Sequence, residues 1–164
     1  MKDSIVQTNM FAPTSCVFTG HRELKRDFSK HALKKAIENV IKVGVTTFYN
    51  GLALGFDLTA CEVVLKLKKK NPQIRLIGCV PCLHQDYYFT LDEKKRYQKI
   101  CNCLDEKIEV SSQPYYSGCM QKRNRYMCDN ADVMIAYCNK DTGGTAYTVK
   151  YFQKKYPDKQ VIFI

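Results

Sequence analysis

An arginine lies where helical spacing predicts an apolar face, in the stretch GCMQKRNRYMCDNADVMIAY at 118–137. Met120, Arg123 and Met127 are three, four or seven residues apart, so they share one side of a helix, with Asn124 beside them. A guanidinium on an apolar face is costly unless an anionic group meets it. We therefore expect Arg123 to face a bound anion, an internal carboxylate or, by snorkelling, solvent.

Three further stretches combine glycine with polar or charged residues directly after predicted strands. They comprise Thr19, Gly20, His21 and Arg22 after the first strand, Gly51, Gly55 and Asp57 after the second, and Gly143, Gly144 and Thr145 after the fifth. Glycine lets a backbone approach a ligand closely, and a glycine-rich helix start offers free amides and a favourable dipole to a phosphate. Together they predict a site for an anionic ligand.

The residue types suggest a role for each part of this site. We expect Gly143, Gly144 and Thr145 to hold a phosphate whose charge Arg123 or Arg125 neutralises. Gly20, Gly51 and Gly55 would let the ligand lie against the backbone.

Two residues of the same loops are candidates for catalysis. Asp57 either binds a ribose hydroxyl or simply caps a helix. His21 and Asp57 are also the available acid and base candidates, although an orienting hydrogen bond within its own loop is the alternative for His21.

The cysteines allow one metal hypothesis. Cys79-x-x-Cys82, followed by Cys101-x-Cys103 and with His84 nearby, resembles a zinc ribbon, but the second pair has one spacer residue instead of two. Cys79 also lies in an apolar run, where a small buried hydrophobe is expected. The GxGxxG fingerprint and the GxxxxGK[ST] phosphate loop are both absent from the sequence. We predict neither a metal nor a cofactor.

Composition favours a single cytoplasmic domain at 1–164. The 164 residues are 45% apolar, enough for a sizeable core, and no stretch approaches the roughly 18 to 20 continuous apolar residues of a membrane span. The opening residues lack the apolar run of a secretory signal, and nine scattered cysteines suit reduced cytosolic thiols. The net charge of +10 favours anionic partners such as nucleotides or nucleic acid.

Six strand patterns alternate with five helix patterns. The strands are expected at 16–19, 46–50, 74–80, 107–111, 132–137 and 160–164, and the helices near 28–43, from Asp57 to Lys70, from Thr90 to Leu104, from Gly118, and from Gly143. This alternation predicts a Rossmann-like three-layer α/β sandwich with a mainly parallel sheet. Ligands bind such sheets beyond the carboxyl ends of the strands, where the glycine loops meet. Arg123, early in its helix, can bend back towards Gly143–Thr145.

Several motifs in fixed order resemble the YpsA-like group of the SLOG superfamily. They are CVFTGHR, NGLALGFDLTACEVVLKL, VPC with Gln85, DEKKRY, GCMQKRNRYMCDNADVMIAY and GGTAYTVKY. The superfamily also includes the Lonely-guy cytokinin-activating enzymes and the DNA-processing protein DprA. The resemblance implies a Rossmann-like fold and a site for nucleotides or nucleotide-derived ligands, and it is compatible with a homodimer.

The Lonely-guy enzymes share part of this pattern. Their Met-x-x-Arg-Lys helix resembles Met120 to Asn124, so the resemblance gives Arg123 their functional arginine. Their PGGxGTxxE motif resembles Gly143–Thr145 only partly, because its catalytic glutamate falls on Thr148, whose hydroxyl cannot replace a carboxylate. YpsA-type relatives usually have a tryptophan soon after the glutamine; here only Tyr87, Tyr88 or Phe89 can offer a stacking platform.

Three functions remain open from the sequence. The first is binding, as a sensor or an enzyme, of a nucleotide or nucleotide-derived small molecule. The second is hydrolysis of an N-glycosidic or phosphate bond, with His21 and Asp57 as acid and base. The third is DNA binding in the manner of DprA, which the net charge favours but which lacks an interleaved aromatic and basic strip.

Overall fold

A computed structural model describes residues 12–164 as an α/β sandwich with one six-stranded sheet. The strands are β1 (Ser15–Gly20), β2 (Thr47–Asn50), β3 (Arg75–Val80), β4 (Glu106–Glu109), β5 (Val133–Tyr137) and β6 (Val161–Phe163). The helices are α1 (Lys30–Lys42), α2 (Phe56–Lys68), α3 (Leu91–Cys101), α4 (Cys119–Asp129) and α5 (Gly144–Lys155). Six strands and five helices alternate, as the sequence predicts.

All the strand pairs are parallel, in the order β4-β3-β2-β1-β5-β6. The chain builds outwards from β1 to β4, then crosses back to the other side of β1 and continues to β6. Helix α2 contacts both α1 and α3, and α4 contacts α5. The predicted Rossmann-like sandwich is therefore confirmed, and its switch point lies between β1 and β5, where a ligand crevice is expected.

Two apolar clusters cover the two faces of the sheet. Because side chains alternate along a strand, Phe18 belongs to the cluster beneath α1 and α2, whereas Val17 belongs to the cluster beneath α4 and α5. Phe18 stacks on Phe48 with ring centroids 5.7 Å apart, and Phe56 at the start of α2 packs edge-on against it. This packing fixes the carboxyl end of β1 against α2.

The five helices begin in two different ways. A side chain caps α1, where the Ser29 Oγ accepts from the Ala32 amide, and α3 has the predicted capping box between Thr90 and Glu93. In contrast, α2, α4 and α5 follow Gly55, Gly118 and Gly143 with no side-chain cap. The first amides of α2 and α4 donate to the main-chain carbonyls of His21 and Tyr116, whereas the first amides of α5 have no partner within residues 12–164.

The prediction that Asp57 caps α2 is wrong. The cap is Gly55, and Asp57 is the second helical residue. Gly55 has a φ of +78°, and a Cβ there would lie 2.0 Å from the carbonyl oxygen of Arg22, so the contact between the two loops requires glycine.

Several other predicted bounds shift by one to three residues, among them the end of α2, at Lys68 instead of Lys70. Helix α1 begins at Lys30 rather than 28 because Ser29 caps it, and α3 ends at Cys101 rather than Leu104 because the chain turns there. The short β4 occupies 106–109 instead of 107–111, which follows from its register with β3.

None of the helices in the described part of the chain has the length and apolar character for a membrane crossing. The first eleven residues, on which the expectation about a secretory signal mainly depends, lie outside the described residues.

Candidate ligand site at the carboxyl edge

A cavity of about 340 Å³ lies beyond the carboxyl end of β1, beside the switch point of the sheet. Nine of the predicted site residues line it: Thr19, Gly20, His21, Arg22, Asp57, Arg123, Asn124, Gly144 and Thr145. Sequence reasoning did not assign Phe18, Ala53, Met120 and Met127, which complete the lining. The helical spacing of the two methionines with Arg123 was the signal that would have included them.

Three helix N-termini point their first turns at this cavity. Asp57 comes from the first turn of α2, Met120 from α4, and Gly144 and Thr145 from α5, while Ala53 comes from the loop before α2. These are the three helices that begin at glycine without a side-chain cap. The positive end of each helix dipole gives the cavity a positive potential, and the Gly144 and Thr145 amides also have no hydrogen-bond partner within residues 12–164.

Arg123 is buried, with 4% of its surface exposed, and its partners are neutral. Its Nη1 donates to the carbonyl oxygens of Gly51 and Cys79, the latter at 3.0 Å, so it joins the ends of β2 and β3. Its Nε donates to the Asn124 Oδ1 at 2.9 Å. Within residues 12–164 Arg123 makes no ion pair, so the expected internal carboxylate is not its partner. Main-chain carbonyls accept hydrogen bonds without cancelling the charge.

A chain of hydrogen bonds connects Arg123 to the start of α5. The Asn124 amide that accepts from Arg123 also donates to the Thr148 Oγ1 at 3.0 Å. The Thr148 hydroxyl in turn donates to the Gly144 carbonyl at 2.8 Å. Thr148, at the position of the Lonely-guy glutamate, is thus a buried residue whose hydrogen bonds link α4 to α5.

Asp57 is a buried carboxyl group with one unused oxygen. Its Oδ2 accepts from the Ala53 amide at 3.3 Å, whereas its Oδ1 has no hydrogen-bond partner. Burial raises its pKa to about 6, although the positive charges of Arg123 and Arg22 and the Ala53 amide oppose the rise. A carboxyl group with this pKa and a free oxygen can bind a hydroxyl or exchange a proton near neutral pH.

His21 links two loops. Its Nε2 accepts from the Asn139 main-chain amide at 3.0 Å, and its ring lies edge-on to Tyr137. Burial and the nearby charges of Lys140 and Lys25 lower its pKa, so the imidazole is neutral with its proton on Nδ1. The orienting hydrogen bond considered for His21 exists, but its partner is in the β5–α5 loop and not in its own.

Three of the loop glycines make room for other parts of the protein. A Cβ on Gly20 would lie 2.3 Å from the Phe56 ring, and one on Gly51 would lie 2.6 Å from the Arg123 guanidinium. Gly55 meets the Arg22 backbone in the same way. The space that a Cβ would occupy beside these three glycines is filled by protein, although Gly20 also lines the cavity, and contact of a ligand with them stays a prediction. By contrast, a Cβ on Gly143 or on Gly144 would meet nothing within 4 Å.

Five predicted site residues do not line the cavity: Gly51, Gly55 and Gly143, together with Gln85 and Arg125. The Gln85 Nε2 donates to the Gly51 carbonyl at 2.9 Å, the same oxygen that Arg123 binds, while its buried Oε1 has no partner. Gln85 therefore supports the β2–α2 loop from outside the cavity. Arg125 donates to the Tyr147 hydroxyl at 3.0 Å on the α4–α5 surface.

The β2–α2 loop also depends on a residue that sequence reasoning missed. The buried Asn50 accepts from the Leu52 amide at 2.8 Å and donates to the Asp57 carbonyl at 2.9 Å. It thereby closes the loop that presents Asp57. Its position at the end of β2, directly before Gly51, was the available signal.

The proposed stacking residues lie outside the cavity. Tyr87 and Tyr88 are exposed and contact each other, and Phe89 packs against Tyr97. No tyrosine lines the described cavity.

The cysteines of the zinc-ribbon hypothesis are free thiols. Over residues 12–164 no group of three or more His, Cys, Asp or Glu side chains is arranged to hold a metal ion. Cys79 is a fully buried residue of β3, as its apolar surroundings predict.

The fold and the site define a class of protein: a Rossmann-like α/β domain with a polar cavity at the switch point of a parallel sheet. DNA processing protein A of Streptococcus pneumoniae is similar in fold, with a TM-score of 0.66 and 15% identity over 92% of this chain and 50% of that one. DNA processing protein A of Helicobacter pylori, solved in a study of its single-stranded DNA binding mode, has a TM-score of 0.61 and 22% identity over 92% of this chain and 65% of that one. The chain thus spans half to about two thirds of these structures.

A family model described as the YspA SLOG family (YpsA) matches residues 15–163. The chain belongs to this family, which confirms the resemblance seen in its motifs. The SPbeta prophage-derived protein YoqJ of Bacillus subtilis is 34% identical over 144 residues, covering 80% of this chain and 84% of that protein. A UPF0398 protein of Halalkalibacterium halodurans is 28% identical over 130 residues, covering 78% and 69%.

Proposed function

We propose that the chain binds a nucleotide or nucleotide-derived ligand in the cavity at the carboxyl edge, as a sensor or as an enzyme that processes it. The observation that carries the proposal is the convergence of three helix N-termini, none with a side-chain cap, on a cavity with a buried arginine. An anionic group would provide the negative charge and the hydrogen-bond acceptors that favour both the helix N-termini and the arginine. The membership of the SLOG family supports a nucleotide as the source of that anion.

The phosphate belongs at the start of α5. Gly143 and Gly144 leave open space there, and the first amides of the helix have no side-chain cap. The Thr145 hydroxyl and amide add donors at the same point. Glycine suits this position because a phosphate oxygen then reaches the amides without meeting a side chain.

The charges of the cavity favour an anion even at neutral pH. Arg22 and Arg123 oppose one carboxyl group, Asp57, and His21 is neutral, so these side chains together stay positive when Asp57 is ionised. The Arg123 guanidinium is held rigidly by the Gly51 and Cys79 carbonyls and by Asn124. Its charge is therefore oriented before a ligand arrives, which reduces the entropy lost on binding.

The remaining surfaces suit the rest of a nucleotide. The free Oδ1 of Asp57 can accept from a ribose hydroxyl. Met120 and Met127 provide polarisable apolar surface for a sugar or base.

A substitution at the phosphate position tests the proposal. Thr145→Asp introduces a negative charge where the phosphate would lie, yet a carboxylate in the first turn favours the helix itself. We expect nucleotides to raise the melting temperature of the natural chain by mass action, and the variant to fold normally but lose this shift. Leu91→Asp is the matched control, because Leu91 is the exposed first residue of α3, and this variant should retain the increase in melting temperature with nucleotides. If a broad set of nucleotides, ADP-ribose and cyclic nucleotides produces no shift in the natural chain, the proposal fails.

A hydrolase acting on an N-glycosidic or phosphate bond is the second candidate, and Asp57 is the observation that favours it. Its pKa of about 6 and free oxygen suit a general acid or base. His21 is less suited, since its Nε2 is occupied by the Asn139 amide. Release of free base or phosphate by the natural chain, lost in Asp57→Asn while binding persists, would support hydrolysis.

DNA binding remains the third candidate. It draws on the net charge of +10 and on the likeness in fold to DNA processing protein A. It requires an affinity that falls log-linearly with salt as counterions are released. Failure of single- and double-stranded DNA to bind at low salt would exclude it.

A further inference from the structure

A second cavity, of about 200 Å³, adjoins the first. Its lining consists of His21, Arg22, Glu23, Lys25, Asn139 and Lys140. His21 and Arg22 also line the first cavity, so the two spaces share one wall. A ligand that fills the first cavity can extend past that wall into the second.

The lining of the second cavity is rich in unpaired cations. Arg22, Lys25 and Lys140 carry three positive charges against the single carboxylate of Glu23. In the part of the chain that the structure describes, none of the three cations forms an ion pair. The other nearby carboxylate, Asp27, is already hydrogen-bonded by the Tyr137 hydroxyl at 2.7 Å.

The shared wall is fixed and positively charged. The Asn139 amide holds the neutral His21 ring, and a glycine at 55 lets α2 pack closely on the Arg22 backbone. Arg22 lines both cavities, so its positive charge is shared by the two spaces. Lys25 and Lys140 line the second cavity together with the His21 ring.

We propose that the second cavity binds a second phosphate group of the ligand, between Arg22, Lys25 and Lys140. The inference rests on the proposed function, in which the first phosphate lies at the start of α5. It narrows the ligand class to nucleotides with at least two phosphate groups, because a monophosphate leaves the second cluster of cations without a partner.

Titration calorimetry with defined nucleotides tests this inference. The probes are adenosine and guanosine 5′-monophosphates, 5′-diphosphates and 3′,5′-bisphosphates, at one ionic strength and pH. The diphosphates place the second phosphate next to the first, whereas the bisphosphates place it across the sugar. We expect one of these two groups to bind the natural chain about tenfold more tightly than the monophosphates, as charge-assisted hydrogen bonds to a second phosphate allow.

A pair of charge-matched variants identifies the surface responsible. Lys25→Gln/Lys140→Gln should abolish the advantage of the second phosphate and leave monophosphate affinity nearly unchanged. Lys95→Gln/Lys99→Gln removes the same charge from exposed positions of α3 and should preserve the advantage.

The outcomes separate this inference from the proposed function. If monophosphates bind as tightly as the longer ligands, or if the advantage survives in Lys25→Gln/Lys140→Gln, the second phosphate site is refuted and nucleotide binding stands. If none of the nucleotides binds, both are refuted.

Discussion

Replacing Asp57 with asparagine removes a buried charge that lowers the free energy of unfolding. The carboxyl group is buried, one of its oxygens has no partner, and its closest cation, Arg123, is not within ion-pair distance. Asparagine has nearly the same shape, and its amide oxygen can still accept from the Ala53 amide. The substitution therefore isolates the cost of the charge.

The magnitude follows from the pKa. Folding raises the pKa of Asp57 from 3.8 to about 6, so the folded chain holds this proton more tightly than the unfolded chain. At 1.36 kcal/mol per pKa unit, the ionised group lowers the free energy of unfolding by about 3 kcal/mol above pH 6 and by almost nothing below pH 4. The attraction of Arg123 is already included in that pKa. Asp57→Asn should thus be increasingly more stable than the natural chain between these pH values.

Urea unfolding of both proteins across about pH 4 to 8 measures this difference. Other titrating groups cancel when the two curves are subtracted. Asp132→Asn is the control of opposite sign, because four hydrogen bonds from Thr14 and Ser15 hold the pKa of Asp132 low despite partial burial. Its variant should be less stable at neutral pH and approach the natural chain as pH falls. A difference curve for Asp57→Asn that stays flat from pH 4 to 8 would refute the charged, buried state described for the site.

Three other changes have expected outcomes. Arg123→Lys should lower the free energy of unfolding, measured with urea, by about 2 to 4 kcal/mol, because lysine cannot donate to both carbonyls and to Asn124. An unchanged free energy of unfolding would show that the fold without ligand does not need Arg123. Gly51→Ala should have a similar cost, since its Cβ would lie 2.6 Å from the guanidinium, and a melting temperature equal to that of the natural chain would contradict this packing. Folding lowers the pKa of His21 below 6.5, so this residue contributes stability above that pH and loses the contribution as pH falls and the unfolded chain is protonated. His21→Gln should lack this pH dependence when the free energies of unfolding in urea are compared at about pH 7 and 5. An equal change between the two pH values in the variant and the natural chain would contradict this.

The regular parts of the fold were predictable from the sequence. Alternating strand and helix patterns predict the parallel sandwich, and the Thr90–Glu93 pair predicts the start of α3. The edge of the sheet at which the loops meet follows from the direction of the strands. That is why most of the proposed site residues line one cavity.

The partners within the site were not predictable, because they depend on contacts between distant segments. Arg123 meets the carbonyls of Gly51 and Cys79, 72 and 44 residues away, and no local pattern distinguishes those oxygens from a phosphate. The sequence also cannot show why a glycine is present, because a bound ligand and a neighbouring side chain can both require a residue without a Cβ. Only the coordinates separate Gly51, which accommodates Arg123, from Gly144, which borders open space.

The strand order has a consequence for synthesis on the ribosome. Central strand β1 pairs on one side with β2, made soon afterwards, and on the other with β5, which begins at Val133. Until that segment emerges, a nascent chain exposes one side of β1 as an unpaired hydrogen-bonding edge, the kind of surface that promotes misassociation. The second cavity is subject to the same delay, since His21 and Asn139 in its lining are 118 residues apart. Chains arrested before β5 has emerged should therefore be sensitive to protease along the first strand, and become resistant once Tyr137 has left the ribosome.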